Sequence, residues 1–256
     1  VTPEVLVVRN AASSGPGRLT EALTAAGLRV RVVDGERLID PADPVTLDGA
    51  AGVVLLGGGL MPDDDAAAPW LPAERRMAEQ AMAQGIPLLG ICLGGQLLAF
   101  VAGGTVAANT GERERGSCRI DVLPGAAGDG LLGGFVGRPP LRMIQNHRDR
   151  ITALPPDAVL LASNAACPIQ AFRVGELAWG LQFHPEADAE RVARWDADTM
   201  RADGFDPDQV IATARADAAV NQAQAHLLFD AFAAVVRDTV TAREAAVRDA
   251  AAARHD

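Results

Sequence analysis

Hydrophobic and polar positions divide the chain into short apolar runs separated by polar, Gly-rich or Pro-rich stretches. Val5 to Arg9 reads as a first strand, and Leu19 to Ala26 as a helix with Gly27 as its C-terminal stop. Leu28 to Val33 alternates and reads as a second strand, followed by a surface connection from Asp34 to Gly49 that carries Pro41 and Pro44. This β-α-β opening predicts a doubly wound sheet. Val53 to Leu56 predicts a further strand running out into Gly57-Gly58-Gly59. Leu71 to Gln84 predicts an amphipathic helix ended by Gly85, and Ile86 to Gly90 a buried parallel strand. Leu97 to Val101 follows as a buried helix, closed by Gly103-Gly104.

Beyond residue 104 the runs become shorter and more β-like: Thr105–Ala107, Cys118–Leu123, Leu141–Gln145, Val159–Ala162, Gln170–Val174 and Leu177–Phe183. Asp188 to Arg201 predicts one helix. Asp206-Pro207 is an N-terminal cap with proline in the first turn. From Asp208 to about Asp238 the chain predicts one or two helices, with Leu227, Leu228, Phe229, Phe232 and Val236 on the apolar side. The remainder to Asp256 is Ala-rich and charged, and fraying is expected there.

Two of these junctions carry candidate chemistry. Gly90-Ile91-Cys92-Leu93-Gly94-Gly95-Gln96 places Cys92 in a strand-to-helix turn followed by two glycines, the geometry of a nucleophile elbow. Glycines suit a turn that neighbouring backbone must approach closely, and a helix N-terminus favours a thiolate. A buried structural cysteine is the alternative for this motif alone. Gly180-Leu181-Gln182-Phe183-His184-Pro185-Glu186 ends the last apolar run. Alternate residues of an extended chain share a face, so Glu186 is placed to orient His184. A histidine held by a carboxylate is what a cysteine nucleophile requires, the ring taking the thiol proton and returning it to the leaving group.

The two motifs, in this order and spacing, with the Gly57-Gly58-Gly59 strand exit upstream, resemble the class I glutamine amidotransferase family over residues 4 to 190. The look is that of the GMP-synthetase-like, stand-alone subgroup. The resemblance implies a flavodoxin-like α/β fold, with a doubly wound, mostly parallel sheet flanked by helices and carrying antiparallel additions. Residues 1–190 would be the amidotransferase domain and 191–256 a helical C-terminal extension packed on or docking it. It also implies a Cys92–His184–Glu186 triad and an oxyanion hole from the N–H groups of Gly58 and Leu93. Gln96 would contact substrate, one helical turn past Cys92.

Two loops are implicated by the same resemblance. Glu114-Arg115-Gly116-Ser117 stands where the family presents backbone to the α-groups of glutamine. Gln145-Asn146-His147-Arg148-Asp149 resembles a substrate-side loop, which puts Asn146, His147, Arg148 and Asp149 among the substrate-binding candidates. Arg148 departs from the usual glycine, and an Arg tolerates positive φ poorly. Either its guanidinium meets the α-carboxylate of substrate, with Asp149 on the α-ammonium, or it points to solvent. For His147 a loop-ordering or substrate-side role is preferred over a second base, because His184 already has its carboxylate.

Composition narrows the classes. The net charge of −10 argues against a nucleic-acid partner. No apolar run approaches a membrane span, and Val5 to Val8 is too short for a signal-peptide core, so a cytoplasmic enzyme is expected. All 23 basic residues are Arg, which excludes Schiff-base chemistry and a P-loop lysine. Cys92, Cys118 and Cys167 give neither a disulfide framework nor a zinc spacing. No metal or cofactor is implied. Asp63-Asp64-Asp65 is either solvated or shapes the substrate entrance.

The expected reaction is hydrolysis of glutamine through a cysteinyl thioester to glutamate and ammonia. The ammonia acceptor is expected to be a separate synthetase subunit, since no Ser-Gly-Gly-x-Asp-Ser nucleotide loop is present. Two alternatives stay open: a hydrolase of γ-glutamyl amines or peptides on the same scaffold, and a catalytically silent regulatory or binding subunit. The C-terminal helices are either a packing appendage or a surface for homo-oligomer or synthetase docking.

Overall fold

A computed structural model describes residues 2–253. Its strands are β1 (Glu4–Arg9), β2 (Arg29–Asp34), β3 (Ala50–Leu55), β4 (Leu88–Ile91), β5 (Thr105–Ala107), β6 (Glu114–Val122), β7 (Leu141–His147), β8 (Arg150–Ala153), β9 (Val159–Ser163), β10 (Ala171–Val174) and β11 (Ala178–Leu181). Its α-helices are α1 (Arg18–Ala25), α2 (Leu71–Ala83), α3 (Leu93–Val101), α4 (Ala189–Ala193), α5 (Ala197–Ala202), α6 (Pro207–Ala216) and α7 (Ala218–Ala252). The main sheet runs β2-β1-β3-β4-β11-β10-β9-β6-β7. From β2 to β11 every pairing is parallel, and from β11 to β7 every pairing is antiparallel.

The central parallel strands β3 and β4 are apolar because helices cover both faces, whereas β2, at the sheet edge, alternates and is largely exposed. Along β1 the side chains alternate between layers. Val5 and Val7 join Leu19 and Leu23 of α1 and Phe229, Phe232 and Val236 of α7, while Leu6 and Val8 join Met77, Ala78 and Ala81 of α2 and Leu98 of α3. The chain leaves β1 toward β2 and returns on its other side as β3, so a crevice opens between the loops after β1 and β3, where doubly wound sheets bind ligands.

Several elements differ from the sequence expectation. Glu114–Ser117 and Gln145–His147 are strand, not loop, pairing as Glu114↔His147, Arg115↔Asn146 and Gly116↔Gln145; only Arg148-Asp149 forms the turn. Their polar side chains bond one another across the sheet, which hides the apolar alternation that marks a strand. The elbow helix starts at Leu93, four residues before the apolar run. β8, which pairs with β5, was absent from the apolar pattern.

Asp188 to Arg201 is two helices, α4 and α5. Asp196 leaves the helical conformation and its side chain accepts from the Thr199 N–H, restarting the helix as an N-cap. Leu227 is 48% exposed, off the buried face that Ala225, Leu228, Phe229, Phe232 and Val236 form on α7. Asp206 caps α6, with Pro207 in its first turn. α7 continues to Ala252, and residues 254–256 of the tail lie outside the described residues. No helix among the described residues is long and apolar enough to cross a membrane.

Candidate active site

Cys92 sits between β4 and α3 with φ 52° and ψ −106°. A non-glycine residue there stores roughly 1–3 kcal/mol of strain and persists only if its surroundings fix it. The Cys92 N–H donates to the Leu181 carbonyl at 2.7 Å, and its carbonyl accepts from the Gln96 N–H at 2.9 Å. The glycines have the close-approach role expected of them. A Cβ on Gly94 would lie 2.1 Å from the Leu55 carbonyl oxygen, and one on Gly90 would lie 2.4 Å from the Gly94 carbonyl. β3, β4 and α3 can meet at this turn only without those side chains.

His184 follows β11 across the turn from Cys92. Its N–H donates to the Ile144 carbonyl at 2.8 Å, tying the segment to β7. Nδ1 lies 2.8 Å from Glu186 Oε1, which fixes the tautomer with the proton on Nδ1. Nε2 is buried and has no hydrogen-bond partner of ordinary geometry among the described residues. Gly57 lies between the ring and the nucleophile, since a Cβ there would meet His184 Cε1 at 3.0 Å and Cys92 Cβ at 3.4 Å. Burial pulls the His184 pKa down, but the charges of Glu186 and Cys92 outweigh it and raise it to about 10. The imidazolium is therefore the favoured form beside this cysteine.

Gly58 and Leu93, the expected oxyanion donors, lie against each other: a Cβ on Gly58 would be 3.0 Å from Leu93 Cδ2. Leu93 is the first residue of α3, so its N–H has no intrahelical acceptor and points from the positive end of the helix.

A cavity of about 490 Å³ opens over Cys92, and Gln96, Asn146, His147, Arg148 and Asp149 all line it. Gln96 Nε2 donates to the Asp149 carbonyl at 3.1 Å and to Gln182 Oε1 at 3.3 Å. Asp149 Oδ1 accepts from the Asn109 N–H at 2.8 Å. Asn146 Oδ1 accepts from Arg115. Arg148 adopts no positive φ, so the strain expected of an Arg in a glycine position does not arise. Its Nε and Nη2 lie 3.3 and 3.2 Å from Asp203 Oδ2, a carboxylate that Arg113 and Arg115 also reach. Burial pushes the Asp203 pKa up, but the bonds and charges of Arg115 and Arg148 hold it below its ordinary value. This acid from the C-terminal helices thus gathers three guanidinium groups beside the cavity.

His147 is buried and engaged away from Cys92, with Nε2 3.1 Å from Glu114 Oε2. Glu114, His147 and Cys167 bring potential ligand atoms within 4.8 Å of one another. Glu114 is already bonded by Gln170 and Asn164, at 2.7 Å each, and burial and the Glu114 charge push the Cys167 thiol up to about 12. This donor set makes a hydrogen-bonded network and suits a metal poorly. Of the acidic triplet, Asp65 pairs with Arg75 at 2.7 Å and Asp64 closes a turn onto the Met61 N–H; none lines the cavity over Cys92.

Sequence reading passed over other residues at the site. Gln182 Nε2 lies 3.7 Å from Cys92 Sγ. Arg191 Nη1 lies 3.4 Å from Glu186 Oε1 while its Nη2 donates to the Gly15 carbonyl at 2.8 Å. Asn10 Nδ2 donates to the Leu56 carbonyl at 3.2 Å and to Glu74 Oε1 at 2.9 Å, bracing the strand exit before Gly57. Only Gln182, inside the quoted motif, carried a local signal.

The fold and site define a doubly wound α/β protein with a cysteine elbow facing a histidine–carboxylate pair at the C-terminal edge of the sheet. The chain belongs to the class I glutamine amidotransferase family, whose model matches residues 7–193. It is similar to GMP synthase [glutamine-hydrolyzing] of Edwardsiella ictaluri, 35% identical over 138 residues that make up 52% of this chain and 25% of that protein. The corresponding protein of Leifsonia xyli subsp. xyli is 37% identical over 139 residues, 53% of this chain and 26% of that one. The chain thus spans about a quarter of the length of these relatives. A glutamine amidotransferase from Thermotoga maritima superposes with a TM-score of 0.79 at 25% identity, over 91% of this chain and 99% of that one. A glutamine amidotransferase from Methylobacillus flagellatus gives 0.77 at 25% identity, over 91% and 94%.

Proposed function

We propose that the protein hydrolyses the side-chain amide of glutamine through a γ-glutamyl thioester on Cys92. The observation that carries this reading is the Glu186–His184 contact of 2.8 Å on a ring that meets Cys92 across Gly57. The Cys92 sulfur attacks the amide carbon, forming an S–C bond. The oxyanion is taken by the N–H groups of Gly58 and Leu93, donors worth about 2.7–4 kcal/mol each in comparable sites. His184 gives its Nε2 proton to the departing nitrogen, and the C–N bond breaks to release ammonia. The neutral ring then takes a proton from water, whose oxygen attacks the thioester; the S–C bond breaks and glutamate leaves. Glu186 keeps the ring in one tautomer and stabilises its cation.

The γ-glutamyl group would occupy the cavity over Cys92, with Gln96, Asn146, Arg148 and Asp149 at its α-groups. Arg148, gathered with Arg115 onto Asp203, supplies the guanidinium for the α-carboxylate. The similarity to GMP synthases [glutamine-hydrolyzing] supports delivery of the ammonia to a synthetase. The silent-subunit reading is disfavoured by the strained elbow and the charged His184, which a purely structural site would have no cause to maintain.

The test is release of ammonia and glutamate from glutamine by the purified full chain. Wild type is expected to produce both in equal amounts, and Cys92→Ala neither. Equal turnover by Cys92→Ala would overturn the proposal.

A further inference from the structure

A second cavity, of about 440 Å³, adjoins the first and shares two of its lining residues. The first cavity is lined by Cys92 and the second by His184 and Glu186, while Asn146 and Trp195 line both, where the two adjoin. Cys92 thus lines one chamber and His184 the other. In the reaction proposed above, the acyl side of the scissile bond belongs with Cys92 and the nitrogen with His184. Ammonia leaving glutamine needs no chamber of this size.

The second chamber is also charged in one sense. The loop after β1 brings Ser13 and Ser14 to it, and α4 and its C-cap bring Arg191 and Arg194. Arg191 is held by Glu186 and by the Gly15 carbonyl. Glu186 is the one acid in the lining, and it is already shared by His184 and Arg191. Among the described residues, neither the Arg194 guanidinium nor the Ser13 and Ser14 hydroxyls have an ion-pair or hydrogen-bond partner. An unpaired guanidinium with free hydroxyls beside an aromatic wall recognises a carboxylate.

We propose that this chamber binds the amine portion of an N-substituted γ-glutamyl amide, and that its preferred occupant carries a carboxylate, as in a γ-glutamyl peptide. The inference rests on attack by Cys92 at a γ-glutamyl carbonyl and adds the leaving-group side of that site. The bonds made and broken are those already written, with His184 protonating an amino acid nitrogen in place of ammonia. Arg194 then holds the carboxylate of the departing group, and Trp195 lies where the acyl and amine halves meet.

The experiment compares kcat/KM for glutamine, γ-glutamylglycine, γ-glutamylethylamide and γ-glutamylputrescine with wild type and Arg194→Glu. A charge-assisted contact corresponds to about tenfold or more. The wild type is expected to favour γ-glutamylglycine over γ-glutamylputrescine by at least that factor. Arg194→Glu is expected to lower kcat/KM for γ-glutamylglycine at least tenfold more than for glutamine, and to bring the two charged amides to parity or reverse their order. Cleavage of glutamine without cleavage of γ-glutamylglycine, or a preference that Arg194→Glu does not move, overturns the inference and leaves the glutaminase reading standing. Folded wild type that cleaves none of the four overturns both.

Discussion

Glu186 Oε1 lies 2.8 Å from His184 Nδ1 and 3.4 Å from Arg191 Nη1, so one buried carboxylate holds the catalytic candidate ring and is itself held from α4. His184 is raised from its ordinary 6.5 to about 10, because the charges of Glu186 and Cys92 overcome the opposing effect of burial. The sign follows from linkage: the stabilisation from the charged ring is fully present below pH 6.5 and is lost as the pH rises through about 10. NMR titration of the His184 ring is expected to show the imidazolium above neutrality, and Glu186→Gln is expected to lower its midpoint. The same variant is expected to lose about a hundredfold or more in kcat, less than Cys92→Ala. A wild-type midpoint near 6.5, or full activity in Glu186→Gln, contradicts the pairing.

The elbow makes a paired prediction about stability. Gly94→Ala drives a Cβ to 2.1 Å from the Leu55 carbonyl oxygen, between backbones that cannot yield as a flexible side chain would. A loss of about 3 kcal/mol or more in denaturant unfolding is expected, at the upper end for overpacking. Gly134, also without positive φ, has nothing within 4 Å of an added Cβ, and Gly134→Ala is expected to stay within about 0.5 kcal/mol of wild type or to stabilise slightly. Equal effects at the two positions would contradict the close-approach account.

Glu74 predicts a pH dependence of stability away from the triad. Burial raises its pKa from 4.5 to about 8, against the opposing hydrogen bond from Asn10. The folded state retains this proton in a range where the unfolded chain has lost it, so stability falls as pH rises from 4.5 to about 8, by at most about 1.4 kcal/mol per unit. Glu74→Gln is expected to flatten that slope in unfolding experiments across the window. An unchanged slope would show that Glu74 is ionised in the folded protein.

How far the sequence could be read follows from how local each signal is. Cys92, Gly94 and His184-Pro185-Glu186 lie inside contiguous motifs at strand ends, where spacing alone places them. The Asn10–Glu74 contact joins residues 64 positions apart, and the Arg191 bond to Gly15 spans 176, so neither leaves a periodic trace. Glu114 to Ser117 escaped recognition as strand because Gly116, at φ 79°, and the polar pairs of β6 and β7 break the apolar alternation. α4 and α5 read as one helix because their composition is continuous; only the Asp196 side chain separates them. Leu227 is adjacent to buried Leu228, and helical phase puts it outside.

The most direct test of the central claim is covalent labelling of the native full chain at neutral pH by a glutamine-like diazoketone, read by peptide mass spectrometry. The Cys118 and Cys167 thiols are each pushed up to about 12 by burial and by the Glu114 charge, whereas Cys92 stands at a helix N-terminus beside His184. The expected result is one adduct, on Cys92, suppressed by excess glutamine and slowed in Glu186→Gln. Equal modification of the three cysteines, or labelling of Cys92 that glutamine does not protect, would contradict the assignment of Cys92 as the nucleophile for a γ-glutamyl amide.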